Sequence, residues 1–122
     1  MSFINDLNTL DISIGMSHFD WAEVFNISID GYRKLCSGSI KPSDWQESRA
    51  SVIILVIKEV GLTTQLPRKY VDKVLTGHAI SIENQLKQRY LNVTMLRNSL
   101  IHAKREMDIE QQWLTNLNSK LE

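Results

Sequence analysis

Apolar residues recur along this chain at intervals of three and four, and alternating strand patterns are hard to find. Ile4, Leu7 and Leu10 mark a first helix reaching about Asp11. Gly15 closes the link after it, and Ser17 or Asp20 is placed to cap a second helix running through about Phe25. "NIS" at 26–28 reads as a turn, Ile29 to Ser37 as a third helix, and Gly38 as its left-handed stop. Ser43 ahead of "DWQ" makes a capping box with Gln46, opening a helix from Asp44 to about Val60. That helix ends in "VIILVI", apolar nearly all round, so it belongs at the centre of a core.

Beyond it, Pro67 suits the first turn of a short helix ending near Leu75, with Thr76-Gly77 as the stop. Ser81 caps a long final helical region. There Leu86, Val93, Leu96, Leu100, Ala103, Met107, Leu114, Leu117 and Leu121 follow a broken three-four spacing. Asp108 with Gln111 is placed to cap a fresh helix, so one rod or a helix pair both satisfy the pattern. The expected fold is all-α: an N-terminal domain of about four short helices over residues 1–61, then a helical dimerisation region over 62–122.

Charge adds an asymmetry that the totals hide. Lys and Arg number 14 and Asp and Glu also 14. Residues 1–60, however, set five bases against eight acids, and residues 61–122 nine bases against six. No bulk charge points to nucleic acid or to a membrane surface. Cys36 is the only cysteine, which fits a reducing compartment. The start, "MSFINDLNTLDIS", has acids where a secretion signal carries bases, and "VIILVI" is too short to span a bilayer. The expected location is the cytoplasm, with no membrane partner.

The stretch "WAEVFNISIDGYRKLCSG" satisfies the demands of a groove-reading helix-turn-helix position by position. Ala22 is small where the second helix must cross closely. Asn26 occupies the turn position that needs positive φ. Ile27 plugs the turn, and Ser28 caps the next helix. Tyr32 and Leu35 turn inward, leaving Ile29, Asp30, Arg33, Lys34 and Ser37 facing outward as a short mixed set suited to base edges.

On these residues, together with Gly38 and Pro42 in "SGSIKPS" and the apolar helix closing at Val60-Gly61, residues 17–61 resemble the phage-repressor and Cro-like (Xre-type) helix-turn-helix family. Asn26 stands where that family usually has glycine, and Gly31 lies inside the expected reading helix. The resemblance implies major-groove contacts from Ile29, Asp30, Arg33, Lys34 and Ser37, and phosphate contacts from Ser28, Ser39 and Lys41. It implies a double-stranded DNA-binding transcriptional regulator, a repressor acting as a homodimer on two half-sites, of the kind phages and plasmids encode. Leu86, Val93, Leu96, Leu100, Met107, Trp113 and Leu117 are the expected dimer interface, since a helical tail left alone would expose its leucine seam.

A second motif lies in "MLRNSLIHAK". Arg97, Asn98 and His102 form an R-N-x-x-x-H arrangement similar to the signature of HEPN ribonucleases, which implies an RNA-cleaving site with imidazole moving a proton and guanidinium stabilising charge. On one helix Arg97 and His102 diverge by about 140° at about 100° per residue. The basic "RKYVDK" at 68–73 reads either as a phosphate-contacting rim or as a solvated helix face. A third reading is a small helical adaptor that uses a helix-turn-helix scaffold to bind another protein, and the C-terminal helices are a candidate surface for a protein partner. Histidines isolated in sequence show no metal-ligand spacing, the five glycines form no phosphate loop, and neither a metal nor a cofactor is expected. The three tryptophans are expected as core or interface anchors.

Overall fold

The computed structural model describes residues 2–121, the Leu121 side chain apart. Seven helices follow in order: α1 (Phe3–Ser13), α2 (His18–Val24), α3 (Ile29–Ser37), α4 (Asp44–Val60), α5 (Arg68–Val71), α6 (Ile82–Lys87) and α7 (Val93–Leu121). Among the described residues there is no β-strand, only an isolated parallel bridge between Ile14 and Leu66. Among the described residues no helix is long and apolar enough to cross a membrane.

The helix starts follow from side-chain chemistry. Ser17 and Ser43 each accept the amide of the third helical residue, Asp20 and Gln46, whose side chains bond back to the cap amide. Gly38 and Gly61 end α3 and α4 in the left-handed conformation, at φ +78° and +77°. The segment after Pro67 is shorter than its pattern suggests, one turn of helix to Val71 and then irregular chain. The final region is a helix pair, and its break lies at 88–92 rather than at Asp108. Two contacts put it there: buried Arg49 donates to the carbonyls of Leu86 (2.8 Å) and Arg89 (2.7 Å), holding the end of α6. Asn92 then accepts the Met95 amide at 3.0 Å and opens α7.

α4 is the hub, packed against α1 on one side and α7 on the other, while α6 and α5 lie against α7 and α6 also against α2. Ile53, Ile54, Val56 and Ile57 are buried, with Leu55 left facing solvent. Trp21, Phe25 and Tyr32 form an aromatic series beside them, with ring centroids 6.5 Å apart at each step. Gly61 ends a helix where the sequence suggests a domain boundary, yet the core runs across it without interruption. Leu10, Ile14 and Ile53 from one side share it with Leu66, Ile82, Leu86, Leu96 and Leu100 from the other.

That shared core corrects part of the expected dimer interface. Leu86, Leu96 and Leu100 are fully buried and Met107 is 5% exposed, all within the chain's own fold. Their apolar area is already removed from water, and none of it is left for a partner. Val93 is half-buried against the same core. Trp113 and Leu117 alone of the set stand exposed.

Charge exchange locks the same two halves together. Lys87 of α6 reaches Asp20 (2.9 Å), Glu83 (3.1 Å) and Glu23 (3.2 Å), while Arg68 reaches the second oxygen of Asp20 at 3.6 Å. Arg97 of α7 pairs with Glu59 of α4 at 2.6 Å. Burial works to raise the Asp20 pKa, but the Lys87 ammonium and the Ser17 hydroxyl and amide outweigh it and hold the carboxyl well below its ordinary range. Burial likewise disfavours charge on Lys87, and its carboxylate partners overcome this and push its pKa up.

Replacing Lys87 with Ala leaves Asp20 charged and nearly enclosed, so chemical denaturation should show a loss of about 2 kcal/mol, below the range for fully buried pairs because Lys87 keeps some solvent. The pH signs follow from the two directions. The Asp20 share of stability is complete above its unfolded pKa, about 4, and drains as pH falls toward its lowered folded value. The Lys87 share is complete below about pH 10 and is lost as pH rises through its raised folded value. Unfolding midpoints indifferent to Lys87→Ala across this range would contradict the account.

Candidate nucleic-acid interface

α2, its turn and α3 are built as the residue pattern anticipates. Ala22 is buried in α2, which packs against α3. Asn26 adopts φ +54°, the only positive φ outside glycine among the described residues. Asparagine tolerates that region better than other side chains, so the absent glycine costs little. The Ile27 amide then donates to the Ala22 carbonyl at 3.0 Å, closing the turn. Ser28 Oγ accepts the Gly31 amide at 3.0 Å and starts α3.

Gly31 has a local reason that sequence reading misses. A Cβ at this position would lie 2.5 Å from Ile27 Cγ1 and 2.7 Å from its Cδ1. The turn's plug occupies the volume of the missing side chain. Glycine's helix penalty, about 1 kcal/mol, is the cost of seating Ile27.

Tyr32 and Leu35 are buried at 1% exposure each, and burial pushes the Tyr32 hydroxyl's pKa up, with Cys36 beside it adding to the effect. On the other side of α3, Asp30, Arg33, Lys34 and Ser37 are exposed and Ile29 half-buried; Ser28 before it and Ser39 and Lys41 after it are exposed as well. α3 packs on α1 and α2 and leaves this face uncovered by the C-terminal helices. Lys34 lies 3.2 Å from Asp30, and Ser37 Oγ sits 2.8 Å from Ser39 Oγ. Arg33 and Lys41 have no carboxylate within ion-pair distance among the described residues. Between Ser28 and Lys41 three cations stand against a single carboxylate.

The acidic excess of the N-terminal half is therefore placed elsewhere. Asp20, Glu23 and Glu59 are taken up by Lys87, Arg68 and Arg97. The basic 68–73 stretch is also spent within the chain: Arg68 on Asp20 and Asp72, Lys69 on Glu110 and Lys73 on Glu106. It is a paired face and not a free cationic rim.

The residues of the second motif are not brought together. Arg97 faces α4 and is held by Glu59, Asn98 points to solvent, and His102 faces the loop before α6. His102 belongs to a different constellation, which the sequence does not announce because His78 and His102 meet only in three dimensions. Gln85 Nε2 donates to buried Ser99 Oγ at 2.8 Å, and Ser99 Oγ lies 3.0 Å from His78 Nδ1. His78 Nε2 is 3.1 Å from His102 Nδ1, and His102 Nε2 is 3.2 Å from Glu106, which Lys73 approaches at 3.5 Å.

With both imidazoles neutral, every proton in this series has an acceptor running one way, from Gln85 to the Glu106 carboxylate. The series ties α6, the 76–81 loop and α7 together. Ser99 is 1% exposed, so its hydroxyl is closed to a substrate. No group of three or more His, Cys, Asp or Glu side chains among the described residues is arranged to hold a metal ion.

Trp21 is a core anchor, as expected, whereas Trp45 lies 42% exposed at the start of α4 with the Arg49 guanidinium 4.6 Å over its ring. Comparison with protein-family models, curated proteins and solved structures finds no match for this chain.

Gly31→Ala tests the local construction. Removing a glycine from an exposed helix usually stabilises by about 1 kcal/mol. Here the Ile27 contact should reverse the sign, giving a net loss of about 1 kcal/mol in denaturant unfolding. A rise in the unfolding midpoint would mean that Ile27 moves aside freely and does not wedge the turn.

Proposed function

We propose that this chain is a sequence-specific double-stranded DNA-binding transcriptional regulator, a repressor that acts by occupying its duplex site. The observation that carries the reading is α3 itself. It is short, capped by Ser28, backed by buried Tyr32 and Leu35, and open along its outer side, where Arg33 and Lys34 project. A helix of this size fits the major groove of B-form DNA, about 12 Å wide. Arginine there matches the O6 and N7 acceptors of guanine in a bidentate pair. Ser28, Ser39 and Lys41 flank the helix at both ends, where duplex phosphates run beside the groove.

Electrostatics support the same side of the molecule. Asp20 and Glu23 of α2 and Glu59 of α4 are paired with bases of α5, α6 and α7, and between Ser28 and Lys41 three cations stand against one carboxylate on a chain of zero formal net charge, with the acids Asp44 and Glu47, unpaired among the described residues, following at the start of α4. Phosphate attraction needs local and not total charge, because it is screened beyond about 10 Å at ordinary salt.

Selection from a random duplex pool, followed by anisotropy titration at several salt concentrations, tests the proposal. Wild-type protein should enrich a defined site. Arg33→Ala with Lys34→Ala should weaken binding to that site by roughly 10- to 100-fold, the worth of one or two base contacts. Lys41→Ala should cost less, act evenly on all sequences and lower the salt slope by about one. A wild-type protein that enriches no duplex would refute the reading.

A further inference from the structure

Two cavities adjoin where the 88–92 link passes the first turns of α4. The larger, about 560 Å³, lies between that link and the α2–α3 turn. The smaller, about 270 Å³, lies between the link and α4 itself. Trp45, Arg89 and Tyr90 line both, so the two spaces make one cleft divided by these side chains. Its larger part falls within the range of small-molecule sites, about 300–1,000 Å³. None of the α3 residues Ile29–Ser37 lines it.

The cleft holds two aromatic rings that folding leaves in water, Trp45 at 42% exposure and Tyr90 at 80%. Each has a guanidinium over it: Arg49 at 4.6 Å from the Trp45 ring and Arg89 at 5.6 Å from the Tyr90 ring. The two arginines differ in what they already do. Arg49 is buried and spent on the carbonyls of Leu86 and Arg89. The Arg89 side chain is exposed, with no carboxylate within ion-pair distance among the described residues. The other charges on the wall, Lys87 and Glu23, hold each other at 3.2 Å. Arg89 is therefore the cation this cleft has to offer. The exposed amides of Asn26 and Gln88 stand on the same wall.

We infer that this cleft binds a nucleoside monophosphate, its base stacked on the Trp45 and Tyr90 rings and its phosphate met by Arg89. The chemistry selects that class step by step. An inorganic anion answers Arg89 and leaves both rings in water. A neutral aromatic molecule covers the rings and leaves the guanidinium without a partner. A simple aryl acid answers both, but it has no ring edge for the two amides. A nucleobase carries donors and acceptors on its edge, which match the mixed donor and acceptor character of Asn26 and Gln88. Every base has a π face suited to an aromatic platform, and a guanidinium suits phosphate in a two-pronged bond.

The site is separate from the outward side of α3 and its test involves no duplex, so it can fail without the duplex-binding reading failing, and the reverse. AMP, GMP, CMP and UMP are titrated by calorimetry into the full chain. At least one should bind with a Kd of roughly 10–100 µM, the range a ligand of this size reaches. Inorganic phosphate and benzoate should each bind at least about tenfold more weakly, since each meets only part of the wall. Tyr90→Ala and Arg89→Ala should each weaken the nucleotide by about tenfold, and their thermal unfolding should match wild type because both side chains are exposed. In a Trp113→Phe chain, nucleotide should quench the Trp45 emission after correction for its absorbance, Trp21 being fully buried. Four nucleotides that do not bind at about 1 mM, variants that bind as wild type does, or phosphate or benzoate that matches the nucleotide would each overturn the inference. So would a single-stranded oligonucleotide that out-competes every free nucleotide.

Discussion

A single ammonium group holds the arrangement on which the candidate interface depends. Lys87 sits among Asp20, Glu23 and Glu83, joining α2 to the C-terminal half. Asp20 has a double task there: its carboxylate caps α2 through Ser17 while receiving Lys87 and Arg68. Without these cations α2 would present an unneutralised acidic side next to the face that α3 offers. Arg49 completes the fastening from the opposite direction, spending a buried guanidinium on the carbonyls that end α6. Burial lowers the Arg49 pKa, and the guanidinium lies 4.6 Å over the Trp45 ring.

Because the halves are complementary in charge and continuous in core, the α2–α3 pair is not an appendage on a separate tail. α4 serves both: its N-terminal end bonds the α2 turn through Gln46 and the Phe25 carbonyl at 3.2 Å, and its C-terminal end pairs with α7 through Glu59. The Gln85–Ser99–His78–His102–Glu106 series adds a polar lock on the far side. Its hydrogen bonds link α6, the 76–81 loop and α7 through His102, although Gln85 Oε1 is buried without a partner.

Much of the local architecture was legible from residues alone. The Ser17 and Ser43 boxes, the Asn26 turn, the Ser28 cap and the Gly38 stop are set by bonds between groups within a few positions of one another. The same locality explains which residues on α3 face out, since a three-four period divides a nine-residue helix between Tyr32 and Leu35 on one side and Arg33 and Lys34 on the other. The break at 88–92 was not legible, because neither proline nor glycine marks it and its cause is Arg49, about forty residues away in sequence.

The seam of α7 shows the division most clearly. Its period was a property of the sequence and announced that the helix would bury one side. Which neighbour would cover it was a tertiary matter: Leu96, Leu100 and Met107 were enclosed by α4, α5 and α6, and only the stretch beyond Glu110 was left over. The charge imbalance between halves behaved alike, visible as a count but convertible into Lys87–Asp20 and Arg97–Glu59 pairs only by folding. Periodicity and capping act over one or two helical turns, so the chain order contains them. Burial and ion pairing depend on which surfaces meet, and that depends on how all the helices share one interior.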